Sequence, residues 1–133
     1  MDRTDLPVID DFTQAWWEAA ADERLLVRRC RDCESVHFYP RPFCPTCWSE
    51  DGEWLEVSGR ATLYTWSEVF MNDLPPFKER LPYIAAVVDL DEGPRMMTEL
   101  VDCDAAQLSV GMPVTVSFRK ETDDVTVPVF RLA

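Results

Sequence analysis

The sequence predicts a mainly β protein built from an N-terminal helix, a cysteine-bearing hairpin and a five-stranded barrel. Three observations carry this reading. Two C-x-x-C pairs, Cys30-Arg31-Asp32-Cys33 and Cys44-Pro45-Thr46-Cys47, stand ten residues apart. Beyond residue 58 the chain reads as short strands divided by turn residues, the pattern of a small barrel or sandwich. Strong helix-forming composition is confined to one stretch ahead of the first cysteine. The expected division is a helical arm over residues 1–24, a cysteine unit over 25–57 and a barrel over 58–133.

Residues 10–23 (DDFTQAWWEAAADE) are rich in good helix formers, with Asp10, Asp11 and Thr13 as candidate caps. Phe12, Trp16, Ala19 and Ala20 fall on one face, and Trp17 beside Trp16 widens the apolar surface beyond a narrow stripe. Trp16 and Trp17 are therefore candidates for a helix that docks a partner. Strands are expected at 25–29 and 35–39 around the first cysteine pair, after which Pro40-Arg41-Pro42 turns the chain, and at 54–57 leaving the unit. The five barrel strands are expected at 59–70, 83–90, 95–101, 113–119 and 126–131. In the fourth, Val114, Val116 and Phe118 alternate with Thr115, Ser117 and Arg119, the signature of a half-buried strand. Residues 91–94 and 121–124 make tight turns, whereas the loop 71–81 (MNDLPPFKERL) is long and carries two adjacent prolines.

Two C-x-x-C pairs flanking a hairpin bring four thiolates to one tetrahedral ion, so Cys30, Cys33, Cys44 and Cys47 are the expected metal ligands. Thiolates are soft donors that suit zinc, with iron as the chemical rival. Four protein ligands leave no position for water or substrate, so the zinc is expected to be structural. It would stabilise a segment too small for a core of its own.

Length and charge narrow the function. With 133 residues, 47% of them hydrophobic and 29% charged, the chain has room for one domain or two very small ones and can bury a core. Its net charge of −12 repels polyphosphate backbones, which argues against broad nucleic-acid binding. The charge is uneven: residues 24–41 hold Arg24, Arg28, Arg29, Arg31 and Arg41 against Asp32 and Glu34, so an anion site is expected there. The longest apolar run, 83–88, is far short of the roughly 20 residues a membrane helix needs. The first residues lack a signal-peptide pattern, so a cytoplasmic location, with reduced cysteines, is the expectation. His37 is the sole histidine, which leaves little for acid–base catalysis within the chain. Cys103 sits between Asp102 and Asp104, neighbours that disfavour a thiolate, so it reads as structural.

Taken in order, the paired Trp helix, the two knuckles with Pro40-Arg41 between them, Ser58-Gly59, Pro82-Tyr83, Leu90 with Glu92-Gly93 and Arg95, Gly111-Met112-Pro113-Val114 and Pro128-Val129-Phe130 resemble the DUF35 family over about residues 10–131. The resemblance implies a rubredoxin-like zinc ribbon followed by a five-stranded OB-fold barrel. It also implies a non-catalytic accessory subunit that binds a thiolase-fold enzyme (thiolase, condensing enzyme or steroid side-chain aldolase) or a hotdog-fold hydratase and supports its action on acyl-CoA. In such complexes the barrel helps hold acyl-CoA while ribbon and helices supply docking surface. Two departures stand out, Glu34 and Ala61, where the family usually carries glycine.

On that resemblance the candidate acyl-CoA or partner contacts are Arg41, Tyr64, Trp66, Phe77, Lys78 and Arg80. Tyr64, Trp66 and Phe70 are expected to share one strand face, and Phe77, Lys78 and Arg80 lie in the long loop, where OB folds often take ligands. The arginines of 24–41 are candidates for CoA phosphates, since guanidinium matches phosphate bidentately. A different class, a single-stranded nucleic-acid-binding module, is suggested by a ribbon beside an aromatic OB face and opposed by the charge. A stand-alone acyl-CoA thioesterase or transferase finds no nucleophile, base and oxyanion set in these residues.

Overall fold

A computed structural model describes residues 5–74 and 76–133. The first four residues of the expected arm, and Pro75 of the proline pair, lie outside the described residues. The order is helix α1 (Gln14–Ala21), strands β1 (Leu25–Cys30), β2 (Val36–His37) and β3 (Gly52–Val57), then β4 (Arg60–Val69), β5 (Tyr83–Leu90), β6 (Arg95–Leu100), β7 (Pro113–Lys120) and β8 (Thr126–Leu132). Short 3-10 turns occupy Phe77–Arg80 and Ala105–Gln107. Among the described residues no helix is long and apolar enough to cross a membrane.

The helix is shorter than its composition suggests because Asp10 and Thr13 build the turn before it. The Asp10 carboxylate accepts from the Thr13 N–H and hydroxyl, both at 2.8 Å, and those bonds hold its carboxyl below the usual range. Trp16, Ala19 and Ala20, spaced i, i+3, i+4, are buried. The Trp16 indole N–H reaches back to the Leu26 carbonyl at 2.9 Å, which ties α1 to β1.

β2, β1 and β3 form a three-stranded antiparallel sheet with β1 central; Arg28 pairs with His37 on one side and with Trp54 on the other. The barrel closes in the order β4-β5-β6-β8-β7, with β7 returning to β4 and β6 meeting β8 in parallel at Leu100 and Phe130. Alternation is cleanest in β5, where Ile84, Ala86, Val88 and Leu90 point inward. One apolar core runs through the whole molecule: Trp16, Ala19 and Ala20, then Leu25, Leu26, Val27 and Val57, then Leu63, Val88, Val114 and Phe130 of the barrel.

The expected shared face of Tyr64, Trp66 and Phe70 is not formed. The β4–β5 register shifts between Leu63 and Thr65, so one extra residue, Tyr64, bulges outward and every later side chain changes face. Trp66 thereby pairs with inward-facing Ala86 and packs against the core, while Phe70 lies beyond the strand end and is exposed. Tyr64 stays outside beneath the Arg95 guanidinium, 3.7 Å from its ring centroid.

Candidate functional site

The two C-x-x-C turns are built alike. In each, the first cysteine's carbonyl accepts from the N–H four residues on (Glu34 to Cys30, 3.0 Å; Trp48 to Cys44, 2.8 Å). Its own N–H donates to a serine carbonyl five residues on (Ser35, 2.9 Å; Ser49, 2.8 Å). Such a turn needs a left-handed residue just after the second cysteine, and Glu34 (φ 65°) and Trp48 (φ 68°) supply it. The Ser49 hydroxyl donates to the Asp32 carboxylate and joins the two turns.

All four cysteine sulfurs lie within 4.8 Å of one another. Cys30 to Cys47 and Cys33 to Cys44 are both 3.6 Å, close to the ~3.8 Å edge of a tetrahedron with Zn–S bonds of about 2.3 Å. The donor set therefore fits a zinc ion. Its ionisation chemistry asks for one: Cys44 is drawn down to about 6, first by the Ser35 hydroxyl 3.3 Å away and then by N–H groups of its own turn. Cys47 is pushed up to about 12, because burial and the neighbouring sulfurs of Cys30, Cys33 and Cys44 outweigh the Ser49 N–H that lowers it. Four adjacent thiolates need a dication before all can be charged.

The arginine cluster divides. Arg24 pairs with Glu56 at 3.0 Å, Arg29 with Glu34 at 3.7 Å, and Arg31 with Asp51 at 2.9 Å and Glu53 at 3.4 Å, so their charges are met. Arg28 lies over the Phe12 and Trp54 rings, 5.1 and 4.9 Å from their centroids. Arg41 is exposed with no carboxylate within 4.0 Å among the described residues. Burial, with Arg28 and Arg41 beside it, holds the His37 imidazole below its usual range.

The remaining candidates are scattered. Trp16 is buried, whereas Trp17 is half-buried and lines a groove of about 280 Å³ with Thr13, Phe38, Tyr39 and Pro40. Phe77 packs near Tyr83, ring centroids 6.1 Å apart, and Lys78 is exposed. Arg80 bonds to nearly buried Glu121 at 2.7 Å; Glu121 also accepts from Arg119 at 2.6 Å, and Arg119 holds Glu99 at 3.0 Å. Its charge is thus met within the chain. Cys103 is half-buried, and burial, then Asp104 and Asp102, push its thiol up. Sequence reasoning missed Phe43, stacked on exposed Trp48 at 5.4 Å and 9°, and the Glu121 anchor. Neither leaves a spacing motif; both appear only once distant residues meet.

A tetrathiolate ribbon mounted on a closed five-stranded OB barrel defines a zinc-ribbon/OB-fold protein. Models of the ChsH2 rubredoxin-like zinc ribbon domain and the ChsH2 C-terminal OB-fold domain match residues 17–52 and 54–119. The chain belongs to the DUF35 family. It resembles one chain of a solved structure titled Ltp2-ChsH2(DUF35) aldolase, at 34% identity and a TM-score of 0.83, over 96% of this chain and 98% of that one. A DUF35 domain-containing scaffold protein of Methanothermobacter thermautotrophicus is 30% identical over 88% of each chain. The benzoylsuccinyl-CoA thiolase subunit BbsA of Thauera aromatica is 31% identical over 79% of this chain and 78% of its own. A probable enoyl-CoA hydratase alpha subunit of Thermomonospora curvata is 35% identical over 96% of this chain, which spans only 39% of that protein.

Proposed function

We propose that this chain is an accessory subunit that contributes no catalytic residue of its own, docks on a thiolase-fold enzyme and supports that enzyme's action on acyl-CoA. The observation that carries this reading is the near-full-length likeness to the DUF35 chain of an aldolase named for two components. Likeness to a thiolase subunit supports the same class of partner. Likeness to a hydratase alpha subunit keeps a hotdog-fold partner as the second choice. The zinc in this proposal is structural, since four cysteines leave it no open position.

Trp17 with Tyr39, and the loop residues Phe77 and Lys78, are the proposed partner or acyl-chain contacts. Arg41 is the proposed contact for CoA phosphate. Trp16 from within the core, and half-buried Trp66 packed against it, hold these surfaces in place. Reactions that condense, thiolyse or retro-aldol cleave a β-functionalised thioester share one need, a fixed acyl-CoA beside the partner's catalytic groups, and a rigid accessory barrel meets it by positioning.

The test is recovery of the tagged chain from its native host, with mass spectrometry of co-purifying proteins and metal analysis. A stoichiometric thiolase-fold protein whose turnover falls when this chain is removed is the expected result. Full turnover and stability of that protein alone, or recovery of this chain with oligonucleotide instead, would overturn the proposal.

A further inference from the structure

The two knuckles repeat each other in sequence, but their sulfurs are not equivalent. Cys30 and Cys44, the first of each pair, are buried, whereas Cys33 and Cys47 are exposed. A small solute therefore meets the second cysteine of each knuckle first. Ser35 and Ser49 stand two residues past those exposed cysteines. The Ser35 hydroxyl lies 3.1 Å from Cys33 Sγ, while the Ser49 hydroxyl is taken by the Asp32 carboxylate. Cys47 Sγ accepts the Ser49 N–H, and no hydroxyl reaches it among the described residues.

In the zinc-loaded chain all four cysteines are thiolates. A hydrogen bond drains charge from a thiolate and lowers its nucleophilicity, so the exposed sulfur without a hydroxyl partner is the more reactive one. Cys30 Sγ, in the other knuckle, lies 3.6 Å from Cys47 Sγ. A surface thiolate with a second sulfur within reach is the arrangement of a redox-sensitive pair.

We propose that Cys47 is a modification site for hydroperoxides, with Cys30 as its resolving partner. The Cys47 thiolate attacks one peroxide oxygen; the O–O bond breaks, a sulfenic acid forms and hydroxide leaves. The Cys30 thiolate then attacks that sulfur, the S–O bond breaks, the disulfide forms and a second hydroxide leaves. Two thiolates are thus oxidised and one peroxide is reduced to two hydroxides, with no other reagent. The site loses two of the four donors that a structural ion needs. Both sulfurs belong to the ribbon, Cys30 at the end of β1 and Cys47 between β2 and β3, so the change begins there and not in the barrel.

The test treats the full zinc-loaded chain with hydrogen peroxide, follows zinc release with a chromogenic chelator and maps disulfides and methionine oxidation by mass spectrometry. Zinc release should precede oxidation of Met71, which is 82% exposed and reports plain accessibility. The first disulfide should join Cys30 to Cys47, and dithiothreitol with zinc should reverse it. Asp32→Ala frees the Ser49 hydroxyl for Cys47 and should slow release roughly threefold. Adding Ser49→Ala to that variant should restore the rate, which loss of the Asp32 charge alone would not do. Ser35→Ala bares Cys33 and should add a disulfide to Cys44, its sulfur also 3.6 Å away. Circular dichroism and zinc content before treatment confirm that each variant is folded and loaded. Zinc kept until Met71 is oxidised, a first disulfide between any other two cysteines, equal release from wild type and Asp32→Ala, or a double variant as slow as Asp32→Ala would overturn the proposal. Partner docking is read from co-purification and turnover, so either proposal can fail while the other stands.

Discussion

Glu34 and Trp48 occupy equivalent places in the two knuckles, and both carry a left-handed backbone that glycine would adopt more cheaply. Glu34 is exposed and pairs only loosely with Arg29 at 3.7 Å, so Glu34→Gly should stabilise the zinc-loaded chain by about 1 kcal/mol in thermal denaturation. Trp48→Gly should gain less, since it forfeits the Phe43 stack. Ser35 is the other decisive residue: its hydroxyl lies 3.1 Å from Cys33 Sγ and 3.3 Å from Cys44 Sγ. Ser35→Ala should lower zinc affinity about tenfold in a chelator competition. Protons and zinc compete for the same sulfurs, and Cys44, held near 6, has already lost its proton at neutral pH. Cys47, held near 12, has not. Zinc uptake at pH 7.5 should therefore release fewer than four protons, measured by calorimetry in buffers of differing ionisation enthalpy, and affinity should fall further as pH drops below about 6. The four ligands were legible in the sequence because thiolate chemistry fixes their spacing. The serine that tunes them was not, since a lone Ser two residues past a cysteine has no signature.

Among the elements, strand content was legible where apolar and polar residues alternate, as in β7, or where a short apolar run stands between turns, as in β5, while the facing of side chains was illegible where a bulge breaks the register, as in β4. The bulge at Tyr64 adds one residue to β4, and no residue type in Leu63-Tyr64-Thr65 announces it. Parity counted through the strand therefore put Trp66 on one face with Tyr64, when the half-buried indole packs against the core instead. The junction between ribbon and barrel depends instead on a residue the sequence does mark. Gly59 has φ 82°, and a Cβ there would lie 2.3 Å from Val116 Cγ1, while its carbonyl accepts from the Val116 N–H at 2.9 Å. Gly59→Ala combines left-handed strain with overpacking and should cost about 3 kcal/mol in chemical denaturation. Ala61, the other departure from the family's glycines, is buried and inward-facing without strain, which is why the change is tolerated.

Across the whole molecule, what the sequence divides into arm, ribbon and barrel is fastened by a single core. Leu25, Leu26 and Val27 belong to the ribbon in sequence, yet they pack with Trp16, Ala19 and Ala20 of the helix and with the barrel's own interior. This continuity was not legible, because a short apolar run does not say against what it packs. It has a consequence for metal removal. The knuckle end of the ribbon buries only Cys30 and Cys44, so zinc is its main fastening, while the base of the β1–β3 pair, Leu25 with Val57 and Val27 with Leu55, is held by the core. A chelator should therefore release amide protons between residues 30 and 52 to rapid exchange while those of β5, β7 and the base of β1 stay protected, as hydrogen exchange read by mass spectrometry would show. Global unfolding on chelation would mean instead that the ribbon's metal supports the barrel as well. Confinement of the loss to the knuckles would place the zinc where it orders the surface carrying Arg41, His37 and Tyr39, so that metal loading governs the surface offered to a partner rather than the survival of the fold.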